Sequence, residues 1–179
     1  MPTPRKPVPP LSLPLVGGGR FDLDTDPGAE RGTLVCVYRG FHCPICVTYL
    51  KALDAIVPAL AERGVTAVAL STDAEDRAVA MAEKVAPKAL RFAHGFALQQ
   101  ARDWGLYLST GRGKTSMGVE EPAVFAEPGL FLVSPGRALY FASIQTMPFL
   151  RPDLAELPAR IDFIVETSYP ARGECAGAV

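Results

Sequence analysis

Residues 34–46 read Leu-Val-Cys-Val-Tyr-Arg-Gly-Phe-His-Cys-Pro-Ile-Cys, and this stretch decides the fold. It begins as a continuous apolar run with β-branched and aromatic residues, which is typical of a strand buried on both faces of a parallel sheet. A Cys-X-X-Cys turn follows, and apolar residues then recur at intervals of three and four, which predicts a helix. The stretch therefore predicts a buried strand that enters a helix through a turn with two cysteines.

The two cysteines of this turn are Cys43 and Cys46. Cys43 is expected at or beside the helix N-cap, with Pro44 at the first helical position, where the missing N–H costs nothing. The unpaired amides of the first turn then stabilise the Cys43 thiolate, which is the nucleophilic form of a cysteine. Cys46 lies nearly one turn further on and can attack the oxidised form of Cys43 to close an internal disulfide. Arg39 and His42 precede the pair, and a cation at either position would favour the thiolate further.

Zinc binding and inert burial are the alternatives to thiol redox chemistry. A structural zinc site usually needs a second pair of ligands, and the chain has only two histidines, His42 and His94. Cys36 falls in the buried strand and is expected to be an inert core residue. Cys175 lies near the C-terminus and is expected to be an incidental exposed thiol, although a role in resolving Cys43 stays open. We predict no metal and no cofactor.

Composition and charge exclude several classes of partner. The chain has 179 residues, of which 49% are hydrophobic, and a formal net charge of −1. It contains no run of basic residues, so we expect neither a nucleic acid nor a membrane as a partner. The apolar segment 11–16 is interrupted by Pro14, and it is too short for a secretory signal or for a membrane span of about 20 residues. We therefore expect a cytoplasmic protein.

The chain divides into three predicted regions. A proline-rich lead-in covers residues 1–14, one domain covers 15–169, and a flexible tail covers 170–179. Within the domain, strands and helices alternate at first, and a β-hairpin and a closing helix follow. This order predicts a mixed sheet with helices on both faces.

Four local predictions concern the ends of these elements. Pro58 is expected to kink or end the first long helix, because it lacks a backbone donor. Thr72 and Glu75 have the spacing of a capping box at the start of the second helix. The segment Leu106–Gly118 is expected to be a loop, and the last helix is expected to run from Arg151 to Thr167.

From about Leu11 to Thr167 the chain resembles the thioredoxin fold. More specifically, it is similar to peroxiredoxin-like proteins of the alkyl hydroperoxide reductase and thiol-specific antioxidant group. The resemblance rests on residues 38–46 with the helix after them, on the strand and turn at 65–73, and on residues 127–136. It implies an α/β, thioredoxin-like fold with a central mixed β-sheet flanked by helices on both faces.

The resemblance also implies a function. It implies a thiol-based antioxidant oxidoreductase that reduces hydroperoxides or disulfides through Cys43, with Cys46 as the resolving cysteine. The implied reductant is a thioredoxin-like or glutathione-type thiol, and the implied assembly is a homodimer. Two alternatives stay open: a thioredoxin-like protein disulfide oxidoreductase with little peroxidase activity, and a non-enzymatic redox sensor or binding module.

Two departures from the family pattern bear on the choice between peroxide and disulfide. Peroxiredoxins carry Pro-X-X-X-Thr/Ser-X-X-Cys at the reactive cysteine, and here Cys36 and Gly40 occupy the proline and Thr/Ser positions. The arginine of the family should fall near the start of the strand that contains Phe131, where this chain has Pro128. The candidates to replace that arginine are Arg39, His42 and Arg137.

Pro128 is the remaining candidate site residue. The segment that it begins is similar to the proline-plus-strand segment of thioredoxins, in which a cis proline faces the active disulfide. Cis peptide bonds are essentially confined to proline, so the resemblance implies that Pro128 is cis and lies opposite the cysteine pair. The alternative is an ordinary trans proline in a turn.

Overall fold

The computed structural model describes residues 1–26 and 28–177, and they form a sheet-based fold with four α-helices. The helices are α1 (Pro44–Ala61), α2 (Glu75–Val85), α3 (Leu98–Asp103) and α4 (Leu157–Thr167). The strands are β1 (Ser12–Pro14), β2 (Arg20–Asp22), β3 (Gly32–Val37), β4 (Val65–Leu70), β5 (Arg91–Ala93), β6 (Leu108–Thr110), β7 (Val124–Ala126), β8 (Gly129–Val133) and β9 (Leu139–Ile144).

The central sheet has five strands in the order β5-β4-β3-β8-β9. β3, β4 and β5 run parallel, whereas β8 and β9 are antiparallel to their neighbours. β3 lies in the middle, where Val35 pairs with Val68 of β4 on one side and with Phe131 of β8 on the other. All six residues of β3 are buried. The predicted mixed sheet and the buried central strand are both confirmed.

Successive residues of β3 point to opposite faces of the sheet, and each face carries its own apolar layer. Leu34 and Cys36 pack in the layer formed with α1, α2 and α4. Val35 and Val37 pack in the opposite layer, which contains Trp104 at the end of α3. Helices therefore cover both faces, as the α/β, thioredoxin-like prediction requires.

Helix α1 carries the cysteine pair at its first turn and spans 18 residues. Its buried side consists of residues at intervals of three and four, which are Cys46, Leu50, Leu53, Val57 and Leu60. Of the two outcomes expected at Pro58, a kink or an end of the helix, the end is wrong, since α1 continues to Ala61. Pro58 lies in the last turn, so its missing N–H removes only one helical hydrogen bond. By length and composition alone α1 could cross a membrane, but in this fold it packs against β4 and α2.

Two further local predictions are wrong. Helix α2 begins at Glu75 with Ala74 as its N-cap, and no side chain caps it, so Thr72 and Glu75 form no capping box. The segment expected to be a loop contains β6, which pairs with β7 in a separate two-stranded sheet. A strand of three residues with one neighbour carries too little hydrophobic periodicity to be detected in the sequence.

The last helix begins later than predicted, at Leu157 rather than Arg151. The Asp153 carboxylate accepts a hydrogen bond from the Ala155 amide at 2.9 Å, and this local turn competes with helical hydrogen bonding. A proline at the start of α4 suits the first helical turn instead. Residues 151–156 therefore form a connection between β9 and α4, which leaves Arg151 on a loop.

Within the described residues, neither terminal segment belongs to the five-stranded sheet. In the N-terminal segment, Val8, Leu11 and Leu13 are buried, and β1 pairs with β2 as a small hairpin. Residues 170–177 of the C-terminal tail are mainly exposed, whereas residues 178 and 179 lie outside the described part, as does Pro27 in the loop before β3.

Candidate active site

Cys43 lies at the N-cap of α1, with Pro44 at the start of the helix, as predicted. Its backbone is extended (φ −98°, ψ 106°), and its carbonyl accepts a hydrogen bond from the Cys46 amide at 3.1 Å. The side chains of both cysteines are buried, with relative exposures of 1% and 0%. All four cysteines of the chain are free thiols in this structure.

The turn before Cys43 is held in place by a buried carboxylate. Asp73 accepts a hydrogen bond from the Phe41 amide at 2.7 Å and pairs with Arg77 at 3.0 Å. Gly40 makes this approach possible, because a Cβ atom there would lie 2.8 Å from the carboxylate. Gly40 also has φ +134°, which L side chains rarely adopt. Sequence reasoning missed Asp73, whose role depends on a contact across 32 positions.

This geometry explains both departures from the peroxiredoxin pattern. A threonine or serine at position 40 would combine an unfavourable φ with a clash against Asp73. A proline at position 36 would remove a donor from the central strand, where Cys36 pairs with Ala69 and Leu130. Gly40 and Cys36 therefore both fit the backbone that this chain adopts at the two positions.

Arg151 contacts the cysteine pair, and it donates a hydrogen bond from Nη2 to Cys46 Sγ at 2.9 Å. Burial opposes ionisation of the Cys46 thiol, but a hydrogen bond with Cys43 and the charge of Arg151 together lower its pKa to about 6. The pKa of Cys43 is raised instead, because its thiol is hydrogen-bonded to Cys46 and is also buried. The pair therefore shares one proton, with the negative charge favoured on Cys46 and the proton on Cys43.

The loop after β9 holds Arg151 in this position. The guanidinium stacks on Tyr49 of α1, with Cζ 4.8 Å from the ring centroid. Tyr49 in turn donates a hydrogen bond to the Pro152 carbonyl at 3.2 Å, and Leu154 is buried in the core. Sequence reasoning missed this role because Arg151 and Cys46 are separated by 105 positions, and Arg151 was assigned to a helix.

Arg39 is occupied by other partners. It pairs with Glu121 at 3.5 Å and with Glu127 at 3.3 Å, and its Cζ lies 4.6 Å from the Phe125 ring centroid. Two carboxylates thus balance its charge, and its side chain does not provide the cation that touches the pair. Through its backbone amide Arg39 contributes to lowering the pKa of Cys46.

His42 is fully buried and packs against Phe125, with ring centroids 4.6 Å apart. Burial, and then the charge of Arg39, lower the pKa of His42 to about 4. At pH 7 the imidazole is therefore neutral. Arg137 is also engaged elsewhere, in a pair with Asp24 at 3.3 Å, so Arg151 is the cation that hydrogen-bonds to the pair.

Pro128 and Cys36 are two further residues close to the cysteine pair. Gly129 pairs with Val37, which places Pro128 beside the end of β3 from which the turn to Cys43 departs. The implied cis bond is wrong, because no peptide bond in the described residues is cis. Burial raises the pKa of Cys36 to about 12, so Cys36 stays a neutral thiol in the core, as predicted.

Cys175 and His94 are the remaining cysteine and histidine of the chain. Cys175 is exposed in the C-terminal tail, whereas His94 is buried. Within the residues that the structure describes, no group of three or more His, Cys, Asp or Glu side chains could hold a metal ion.

Comparison with known proteins identifies the family. The model of the AhpC/TSA family matches residues 4–141, which include the cysteine pair, helices α1 to α3 and the central sheet up to the first half of β9. The chain belongs to the AhpC/TSA family. This match confirms the peroxiredoxin-like resemblance and the expected class of enzyme, an antioxidant oxidoreductase of the thiol peroxidase type. No curated protein matches the chain significantly in sequence.

Solved structures of peroxiredoxins share the fold over nearly the whole chain. Peroxidoxin BcpB from Mycobacterium tuberculosis has a TM-score of 0.68 and 16% identity, covering 92% of this chain and 99% of its own. AhpC from Enterococcus faecalis has a TM-score of 0.70 and 17% identity, covering 96% and 99%. The peroxiredoxin 6 of Arenicola marina has a TM-score of 0.73 and 16% identity, covering 93% and 74%. At these identities the likeness establishes the thioredoxin-like fold.

Proposed function

We propose that this AhpC/TSA protein reduces hydroperoxides with its Cys43–Cys46 dithiol, in which Cys43 attacks the peroxide and Cys46 resolves the product. The observation that carries the proposal is the buried pair itself. Cys43 lies at a helix N-terminus, its carbonyl accepts a hydrogen bond from the Cys46 amide, and the Cys46 sulfur accepts a hydrogen bond from Arg151. The Arg151 cation favours a thiolate in the pair. The expected stabilisation of a Cys43 thiolate by the helix N-terminus is wrong for the reduced pair, because the pKa of Cys43 is raised and that of Cys46 is lowered.

The proposed cycle ends in an internal disulfide. The attack on the O–O bond converts the first thiol into a sulfenic acid and releases an alcohol or water. The second cysteine then displaces hydroxide and closes the disulfide, which a thioredoxin-like or glutathione-type thiol reduces. We place this cycle in the cytoplasm, where thiols are kept reduced, and in a homodimer.

Disulfide reduction is the second candidate function. Position 40 is a glycine with φ +134°, so the Thr/Ser side chain with which peroxiredoxins bind the peroxide is absent from this turn. The two-residue spacing of the pair is also the spacing of dithiol oxidoreductases. A disulfide substrate would then be attacked by Cys43, and Cys46 would release the reduced product.

Mass spectrometry of the intact chain after limiting hydrogen peroxide tests the proposed mechanism. We expect one intramolecular disulfide joining Cys43 and Cys46, its loss in Cys43→Ser and Cys46→Ser, and its retention in Cys175→Ser. Formation of a disulfide that includes Cys175, or of none, would contradict the mechanism.

A comparison of two rate constants separates the candidate substrates. The reduced protein is mixed with hydrogen peroxide and, separately, with a model aromatic disulfide, and loss of free thiol is followed. Peroxide reduction predicts the faster reaction with peroxide, which Cys43→Ser abolishes. A slow reaction with peroxide and a fast one with the disulfide would establish the second candidate instead.

A further inference from the structure

Arg151 is positioned as part of a built site rather than as a surface side chain. Its Nη2 is 2.9 Å from Cys46 Sγ, and its Nε and Nη1 are buried without hydrogen-bond partners among the described residues. A buried guanidinium needs a counter-charge, because removing a cation from water costs several kcal/mol. The buried carboxylates Glu121 and Glu127 pair with Arg39, and Asp73 pairs with Arg77. The thiolate of Cys46 is therefore the group in contact with Arg151 that supplies this charge.

The surroundings of Cys46 support an ionised sulfur at this position. The titratable groups that face it are Cys43 from the N-cap, Cys36 from β3, Tyr38 from the end of β3, and Arg151 from the loop after β9. Burial raises the pKa of Cys36, and that of Tyr38 above its ordinary range, so both are neutral at pH 7. Among these groups Arg151 carries the positive charge and Cys43 carries the shared proton.

We propose that Arg151 is a catalytic residue that keeps Cys46 as the ionised member of the reduced pair, so that Cys46 serves first as the base for Cys43 and then as the resolving nucleophile. The inference deepens the proposed function and rests on it for the order of the two cysteines. Arg151 lies on the loop before α4. Its guanidinium hydrogen-bonds to the second cysteine of the pair, Cys46, rather than to Cys43.

The steps balance in protons and electrons. The Cys43 thiol gives its proton to the Cys46 thiolate, and the resulting Cys43 thiolate attacks the peroxide oxygen. An S–O bond forms and the O–O bond breaks, which oxidises Cys43 to the sulfenic acid and reduces the peroxide to an alkoxide. The alkoxide takes the proton back from Cys46 and leaves as the alcohol. Cys46, again a thiolate beside Arg151, attacks Cys43 Sγ, closes the disulfide and releases hydroxide.

The loss of Arg151 should therefore slow the attack of Cys46 on oxidised Cys43 more than it destabilises the fold. In Arg151→Met we expect the pKa of the pair to rise from about 6 towards the ordinary cysteine value of about 8.5 or above. At pH 7 the thiolate fraction then falls about thirtyfold, and the sulfenic acid on Cys43 should persist about thirtyfold longer because its resolving partner is protonated. Arg151→Lys keeps the charge and should recover most of the shift.

The experiment uses the full reduced chain in a Cys175→Ser background, so that the exposed thiol does not contribute. Thiolate absorbance is titrated with pH in the parent, in Arg151→Met and Arg151→Lys, and in Arg160→Met, in which an exposed arginine of α4 is removed. The lifetime of the sulfenic acid is measured by trapping with dimedone after one equivalent of hydrogen peroxide. The expected result is a high titration midpoint and a long-lived sulfenic acid in Arg151→Met alone.

Three results would overturn the inference. The first is an unchanged titration midpoint in Arg151→Met, and the second is a midpoint in Arg151→Lys as high as in Arg151→Met. The third is rapid oxidation of Cys46 by peroxide in Cys43→Ser, which would make Cys46 the attacking cysteine. The titration needs no peroxide, so it tests the contact between Arg151 and Cys46 even if peroxide reduction itself is refuted.

Discussion

Replacing Gly40 with alanine places a methyl group where the carboxylate of Asp73 lies. The new Cβ would be 2.8 Å from Oδ2 and 3.0 Å from Oδ1, and real Cβ atoms do not approach other atoms so closely. Asp73 is fully buried and is held between the Phe41 amide and Arg77, so it cannot move into solvent without breaking both contacts. The substitution therefore strains the turn that carries Cys43.

The magnitude follows from two separable costs. A side chain at φ +134° loses about 1–2 kcal/mol through backbone strain. Displacing Asp73 weakens a charge-assisted hydrogen bond to the Phe41 amide, which costs about 1.5–3 kcal/mol. The free energy of unfolding should therefore fall by about 2.5–5 kcal/mol in Gly40→Ala.

Urea unfolding, followed by the fluorescence of Trp104, measures this cost. With a slope of about 2 kcal/mol per molar urea, the midpoint of Gly40→Ala should fall by about 1.2–2.5 M. Gly118→Ala is the matched control, because Gly118 has φ +72° but no heavy atom within 4 Å of its Cβ position. The control should lose only the strain, about 1 kcal/mol. Equal midpoints for the two variants would refute the clash with Asp73.

Two further predictions concern the charged groups around the turn. Since the pKa of His42 is lowered to about 4, the unfolded chain binds the proton first as the pH falls, and the protein should lose about 2 kcal/mol of stability between pH 7 and pH 5. His42→Phe, which keeps an aromatic contact with Phe125, should remove that part of the pH dependence in urea unfolding. Arg39→Met leaves Glu121 and Glu127 buried without their partner and should destabilise the protein by about 3–5 kcal/mol.

Each of these predictions has a result that contradicts it. If His42→Phe and the parent lose the same stability between pH 7 and pH 5, the histidine is not the group responsible. Arg160→Met is the control for Arg39, because the exposed ion pair of Arg160 should contribute about 0–1 kcal/mol. Equal unfolding midpoints for Arg39→Met and Arg160→Met would show that the buried cluster contributes no more than a surface pair.

Local sequence pattern was sufficient where the structure depends on near neighbours. The sequence predicted the buried strand β3, the N-cap position of Cys43 and the placement of Pro44, because each depends on residues within a few positions. The ends of elements were harder. The spacing predicted Thr72 as a helix cap and Arg151 as helical, and both predictions are wrong. The contacts that decide where these helices begin cannot be detected from the spacing of residues.

The sequence by itself determined the mixed sheet, the strand-to-helix junction and the two thiols at its start. Only the tertiary structure decided their electrostatics. It brings Arg151 to Cys46 across 105 positions, pairs Arg39 with Glu121 and Glu127, and buries His42 as a neutral imidazole. The physical reason is that a charge acts over distance in space and through burial, whereas sequence order constrains only the near neighbours along the chain.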